Sequence, residues 1–344
     1  MRNVKALCIA LAICLAFGGF GAVSHGSEAT PAQQLAAALA AQKTSIKLSL
    51  PDVGQAQNVM KQALLADDYV GMIIKSYTVR TSRVSGHKNG TATYDVAYLE
   101  TKAQTDYVRT QAKSIVAKLV KPGMTDFQKE KLIHDYIVTY VSYDKSLRKY
   151  TAYEALKTGE AVCQGYALLT YRLMQEAGIP VRIVSGSVST GLHAWNKVKL
   201  GGAWYNVDTT WDSQNGIDYS YFNVSDADLK RDHKWTQGDL PAATADYRAT
   251  LKAKAQAGGG NAAVYQAILG DIGELFRKAD DAIAYLAEAA KNKKASAKFQ
   301  YVYGNRDLKK EMKTLGGVPK GAKTLEISCR YGNGIATVEA KLGY

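Results

Sequence analysis

Three residues of this chain are of the types, and at the places, that could do covalent chemistry together: Cys163, His193 and Asp208. Cys163 follows the small and loop-forming run Thr158-Gly159-Glu160-Ala161-Val162. It opens an apolar-periodic stretch carrying Leu168, Leu169, Leu173 and Met174 that stops at Gly178-Ile179-Pro180. The unpaired N–H groups and the dipole at a helix N-terminus favour thiolate over thiol, and an adjacent imidazolium adds to that. Downstream, 193–200 and 203–211 flank Gly201-Gly202, a hairpin signal with a two-residue turn. With that turn Leu200 faces Ala203, Trp195 falls opposite Asp208 and His193 opposite Thr210, so His193 and Asp208 share a face. Diagonal neighbours of this kind lie ~7–8 Å apart between Cα atoms, a gap their side chains can close. A three-residue loop would place the two on opposite faces. A carboxylate that accepts from one ring nitrogen fixes the tautomer, so the other nitrogen can take a proton from a thiol and return it to a leaving group.

The elements that must position these groups are legible in outline. A helix is expected over about 104–120, ending at Pro122-Gly123. Thr125 with Gln128 then forms a capping box for a helix that buries Ile133, Tyr136, Ile137, Tyr140 and Val141. Strands are expected at 181–188, 193–200 and 203–210. Ahead of them come a strand with Ile46, Leu48 and Leu50, a helix at 53–65 and a hairpin of 73–84 with 90–99. Behind them come a helix at 280–291, a strand at 298–303, a helix at 306–315 and a hairpin of 324–331 with 335–342. Strand, helix, strand, strand thus occurs twice, as an internal duplication would give. Gly258-Gly259-Gly260 is the clearest linker candidate.

Other residues carry weaker signals. His134 falls off the apolar stripe of its helix and reads as solvated surface. His233, beside Asp232 and Trp235, could compete as a base but lacks a paired strand carrying a carboxylate, and reads as a histidine tying down the last segment of the core. Asp212, Tyr205, Tyr219 and Tyr221 could line a cleft, although core packing accounts for most of the 22 tyrosines. In Leu325-Glu326-Ile327-Ser328-Cys329-Arg330-Tyr331 the alternation puts Cys329 on the apolar face of a strand with Leu325, Ile327 and Tyr331. No histidine and cysteine cluster has metal-ligand spacing, and neither a phosphate loop nor a dinucleotide fingerprint occurs, so no metal and no cofactor are expected.

Arg2 and Lys5 precede an apolar run at 6–15 that continues through Phe20 to polar Ser24, the pattern of a secretory signal peptide with a mature start near Ser27. The run is short for a membrane span, so no stable span is expected after cleavage, and the chain is placed outside the cytoplasm, secreted or in the cell envelope. Loss of that segment removes Cys8 and Cys14 and leaves Cys163 and Cys329, too few for a disulfide framework. Loss of Arg2 and Lys5 takes the formal net charge from +13 to +11, spread over 113–131, 145–149 and 291–320 without interleaved aromatic platforms. A solvated basic surface is the default reading; such charge could favour an anionic cell-wall polymer or lipid headgroups, and nucleic acid is not expected as a partner outside the cell.

Four motifs in order, Ala161-Val162-Cys163-Gln164-Gly165-Tyr166-Ala167, Ala177-Gly178-Ile179-Pro180-Val181-Arg182, His193-Ala194-Trp195-Asn196 and Trp204-Tyr205-Asn206-Val207-Asp208-Thr209-Thr210-Trp211, resemble the catalytic core of the transglutaminase-like superfamily, specifically its exported bacterial members. The resemblance covers about 125–235 and implies a papain-related α+β fold, with a nucleophile helix packed on an antiparallel sheet and small strand-helix-strand-strand units at its flanks. It implies that Cys163, His193 and Asp208 are the nucleophile, base and orienting acid. It also implies attack on amide or ester carbonyls of a protein or peptide through a thioester, which an amine or water resolves. The backbone N–H of Cys163 can supply one oxyanion donor, with Tyr143 and Tyr153 as candidates for the second. On this reading the chain divides into a signal peptide at 1–26, an N-terminal α+β region at 27–120, the catalytic core at 121–240 and a C-terminal α+β region at 241–344. The readings it leaves open are an acyl transferase, a cysteine peptidase and a non-catalytic envelope-binding module on the same fold.

Overall fold

The computed structural model describes residues 29–214, 217–304, 306–332 and 334–344, so the expected signal peptide lies outside the described residues. The first helix, α1 (Pro31–Ala40), starts where Thr30 and Gln33 cap each other and Pro31 presets the helical φ. Then follow β1 (Ser45–Leu50), α2 (Ala56–Leu64), α3 (Asp68–Ile73), β2 (Ile74–Arg83) and β3 (Gly90–Tyr98). The three strands form an antiparallel sheet in the order β1-β3-β2. Its inner face buries Ile46, Leu50, Ala92, Tyr94 and Val96 against Leu35, Leu39 and Met60 from the helices. The expected strand alternation from Ile46 to Leu50 thus points inward, with Leu48 half-buried.

The central body comprises α4 (Lys102–Leu119), α5 (Asp126–Tyr140), β4 (Ser142–Tyr143), α6 (Ala152–Thr158), β5 (Glu160–Ala161), α7 (Cys163–Glu176), β6 (Val181–Val188), β7 (Gly191–Leu200), β8 (Ala203–Val207), α8 (Thr209–Asp212), α9 (Asp226–Leu229), α10 (Tyr247–Gln256) and α11 (Ala262–Ile272). Helix α7 is its axis, with every residue from Gly165 to Met174 buried. It packs on the antiparallel sheet β6-β7-β8 on one side and on α4, α5 and α6 on the other. The chain is therefore α+β, with the cysteine-bearing helix laid against an antiparallel sheet. Gly165 permits the close seat of α7, because a Cβ there would stand 2.6 Å from the Ala161 Cβ and 3.0 Å from the Thr151 carbonyl oxygen.

The large apolar core extends beyond the expected linker, since Tyr247, Leu251, Ile268 and Ile272 belong to it. Gly258-Gly259-Gly260 is the turn between α10 and α11, with φ of +74° and +85° at its first two residues. After it come β9 (Glu274–Phe276), α12 (Ala279–Lys291), β10 (Ser296–Val302), α13 (Leu308–Leu315), β11 (Thr324–Gly332) and β12 (Ile335–Gly343). The sheet order is β11-β12-β10-β9. Strands β10, β11 and β12 repeat the arrangement of β1, β2 and β3: first, third, second, all antiparallel, with a helix before the first and second strands of each set. The doubled element order in the sequence is thus a doubled topology, to which β9 adds one parallel strand.

Cys329 keeps the expected face beside Leu325 and Ile327, half-buried on an edge strand, while Tyr331 is exposed. Both Cys163 and Cys329 are free thiols. Among the described residues no helix is long and apolar enough to cross a membrane.

Candidate active site

The hairpin turns at Gly201 and Gly202, both with positive φ (57° and 91°), as a two-residue turn matched to strand twist requires. Leu200 faces Ala203 and the pairing continues to Asn196 opposite Val207, where β8 ends. The expected strand over 203–210 is therefore shorter. Asp208 becomes the N-cap of α8, and its Oδ1 accepts from the Thr210 and Trp211 backbone N–H groups at 2.9 and 3.2 Å. The strand stops there because a side-chain acceptor two or three residues ahead captures those donors. His193 and Asp208 nevertheless share a face, with His193 Nε2 2.6 Å from Asp208 Oδ2.

Cys163 is the first residue of α7, whose N-cap Val162 offers no side-chain acceptor, so the helix end is left open toward the thiol. Cys163 and His193 line one cleft, and with Nε2 against Asp208 the ring nitrogen left for the thiol is Nδ1. Burial opposes charge on His193, but the Asp208 carboxylate and the Cys163 contact outweigh it and raise its pKa to about 10. Burial likewise works against a charged Asp208, yet the two imidazoles beside it hold its carboxyl below the usual range.

Thiol and imidazole open onto a cleft of about 710 Å³ whose walls include Tyr143, Leu147, Tyr150, Leu192 and Trp211. Apart from His193, none of its lining side chains carries a formal charge. One wall is preset: Asp144 Oδ1 accepts from Ser146 N and Oγ, and Oδ2 from Arg148 N and Lys149 N. This ties the loop so that Leu147, at φ 55°, is presented half exposed. The other wall carries Leu192, 92% exposed. Of the two tyrosines considered upstream, Tyr143 pairs beside Ala161 in the parallel β4 and β5 bridge and lines the cleft with Cys163. Tyr153 points elsewhere, packed edge-on against Tyr107. Gln164 turns away from the cleft and donates to the Met72 carbonyl at 2.9 Å.

Two expectations change, and a third gains a partner. His134 is not solvated: it is fully buried, with Nε2 3.0 Å from Asp212 Oδ2 and Nδ1 3.0 Å from Asp135 Oδ1, against Tyr219 and Phe222. The segment after α8 folds back over that face of α5, a long-range cover that helical spacing does not reveal. Asp212 lies with it in the interior and lines no cleft; burial pushes its carboxyl up to about 7. His233 is also fully buried and reaches the acid directly, with Nε2 3.2 Å from Asp208 Oδ2 and Nδ1 2.6 Å from Asp232 Oδ1.

His193, Asp208 and His233 are the one group of metal-ligating types brought together among the described residues, with ligand atoms within 4.8 Å of one another. The hydrogen bonds among them account for that convergence, and both oxygens of Asp208 are already engaged.

An α+β fold with a cysteine heading the central helix, a histidine on the facing sheet and an acid just past its last strand defines the broad class of cysteine hydrolases and acyl transferases. Residues 113–209 match the family model of the Transglutaminase-like superfamily. The chain is similar to Kyphoscoliosis peptidase of Mus musculus, 29% identical over 133 residues that cover 33% of this chain and 20% of that protein. It is also similar to Kyphoscoliosis peptidase of Homo sapiens, 31% identical over 117 residues that cover 29% and 18%. The match thus spans about a fifth of the length of these curated relatives. Among solved structures, one described as a TGase is 14% identical, with a TM-score of 0.26 and coverage of 48% of this chain and 50% of that one.

Proposed function

We propose that this protein is an exported cysteine-dependent acyl transferase or hydrolase acting on amide carbonyls of proteins or peptides. The observation that carries the reading is the line from Cys163, at the head of α7, through His193 to Asp208, 2.6 Å from the imidazole, at the floor of an open cleft. The Cys163 thiol gives its proton to His193 and Sγ attacks the carbonyl carbon, while the backbone N–H of Cys163 and the Tyr143 hydroxyl hold the developing oxyanion. The C–N bond then breaks, His193 delivers a proton to the departing amine, and a thioester remains. Water or a second amine, its proton taken by His193, displaces the sulfur and frees the thiol. Asp208 orients the ring and balances its charge throughout.

The neutral cleft walls favour an uncharged, apolar-flanked peptide at the reacting carbonyl. The positive surface, +13 over the chain, would serve to hold the protein on an anionic wall polymer. Resolution by water is the reading that similarity to the Kyphoscoliosis peptidases favours. The experiment incubates the mature protein with an amide-bearing peptide and a labelled primary amine, and scores incorporation of the amine against release of free acid. Either product, lost in Cys163→Ala, supports the reading; neither product across a panel of peptides, with folding intact, overturns it.

A further inference from the structure

We propose that His233 is a positioning residue for the reaction, a doubly protonated imidazole that shares the Asp208 carboxylate with His193. The proposal rests on the reading of Cys163, His193 and Asp208 as the reacting groups.

Asp208 Oδ2 faces two imidazole nitrogens, His193 Nε2 at 2.6 Å and His233 Nε2 at 3.2 Å, while Oδ1 takes two backbone N–H groups. A carboxylate has about four acceptor sites, so the acid is fully satisfied, and both imidazoles must bring a hydrogen to it. The second nitrogen of His233 faces Asp232 Oδ1 at 2.6 Å, and Asp232 Oδ2 accepts from the Tyr221 hydroxyl at 2.8 Å. An ionised carboxylate only accepts, so His233 carries a proton on each nitrogen. The titratable groups facing it are Asp208 at the end of β8, Asp232 on its own segment, His193 on β7 and Tyr221. Trp195 and Trp211 close the remaining sides and exclude water.

Signs therefore alternate from His193 through Asp208 to His233 and Asp232. Two consequences follow. The second donor adds to the hold of the α8 cap, so the Asp208 carboxylate stays turned toward His193. The second cation, its ring centroid 5.3 Å from that of His193, also draws on the charge that would otherwise act on His193 alone and repels its proton. His233 thus keeps His193 from holding its proton too tightly to give it to a leaving group.

The test is nitrogen-15 NMR of histidine-labelled full chain for the parent, His233→Gln and His233→Phe, with iodoacetamide alkylation of Cys163 at pH 6 run alongside. Glutamine keeps a donor for Asp208 without the charge; phenylalanine keeps the volume without the donor. In the parent, His233 is expected to carry protons on both nitrogens at pH 7. In His233→Gln the His193 titration midpoint is expected to rise by about one pH unit or more, since a neighbouring cation is lost, with alkylation within about threefold of the parent. His233→Phe is expected to lower alkylation about tenfold further, because the acid is no longer pinned. A residue that merely packs would change the melting temperature and leave the midpoint in place. A singly protonated His233 at pH 7, or an unmoved His193 midpoint in folded His233→Gln, overturns the proposal. Should the phenylalanine variant fail to fold, the parent and glutamine measurements decide. A parent Cys163 that labels no faster than Cys329 would instead sink the triad reading, an outcome separate from the histidine midpoints.

Discussion

His193 and Asp208 meet at 2.6 Å although β7 and β8 stop pairing one residue short of the acid. The two-residue turn at Gly201 and Gly202 sets the face, and the cap that Asp208 provides for α8 fixes the carboxylate's direction. One oxygen is spent on the backbone so that the other is aimed at the imidazoles. Position and orientation thus come from two independent local devices.

Asp208→Asn keeps the shape and removes the charge that holds His193 protonated. Alkylation of Cys163 at pH 6 is expected to fall about tenfold or more, with the fold retained. Circular dichroism and peptide mass spectrometry on the same samples check both halves. An unchanged rate would mean that the thiol is activated without the acid.

Gly165→Ala places a methyl group 2.6 Å from the Ala161 Cβ, where α7 has no room to shift without moving Cys163. A loss of about 1–3 kcal/mol is expected, of the size seen on overpacking a core. Denaturant titration would measure it, and a neutral effect would contradict the close seating of α7 on β5.

Burial raises Glu130 to about 8, and its Oε1 has no partner, as is also true of Asn223 Oδ1. A proton on Glu130 removes the buried charge. The native state then binds this proton at pH values where the unfolded chain has lost it, so this contribution to stability is complete below about pH 4.3 and fades as pH rises toward 8. Glu130→Gln removes the titration. The variant is therefore expected to gain on the parent by a few kcal/mol between pH 5 and 9, read from urea unfolding at each pH. A constant difference across that range would show that Glu130 is ionised throughout.

The Asp144-tied loop presents Leu147 to a cleft with uncharged walls. Leu147→Asp is expected to raise KM several-fold for an apolar peptide donor, more so for an acidic one, with kcat little changed, because the site of bond breaking is untouched. Steady-state kinetics on paired neutral and acidic peptides test it. Equal KM values would place the peptide on another wall.

Much of this site was legible in the sequence, for identifiable reasons. A Gly-Gly pair between alternating strands has one favoured register, so the shared face of His193 and Asp208 followed from counting. The opening of α7 at Cys163 followed from loop-forming residues ahead of an apolar period. What stayed hidden depends on chain that returns from far away. His134 shares the buried face of α5 with Phe127, Glu130, Ile137 and Val138 and is covered by Tyr219 and Phe222, while Tyr140 of the expected stripe is exposed; His233 sits outside any regular element and reaches Asp208 across 25 positions. The Asp232-His233 pair beside tryptophans was the visible sign that this histidine had polar work in the interior. Gly258 to Gly260 looked like a boundary because composition reports flexibility, whereas the apolar residues of α11 commit the segment to the central core.

The central claim, that His193 activates Cys163, is tested most directly by the pH dependence of iodoacetamide alkylation in the folded mature protein. Cys329, whose thiol burial pushes up, serves as internal control, with His193→Ala alongside. The account predicts rapid labelling of Cys163 at pH 6, slowed in His193→Ala, while Cys329 reacts only at high pH. Labelling of Cys163 only above pH ~8.5, where an ordinary thiol ionises, and at the same rate in His193→Ala, would contradict it.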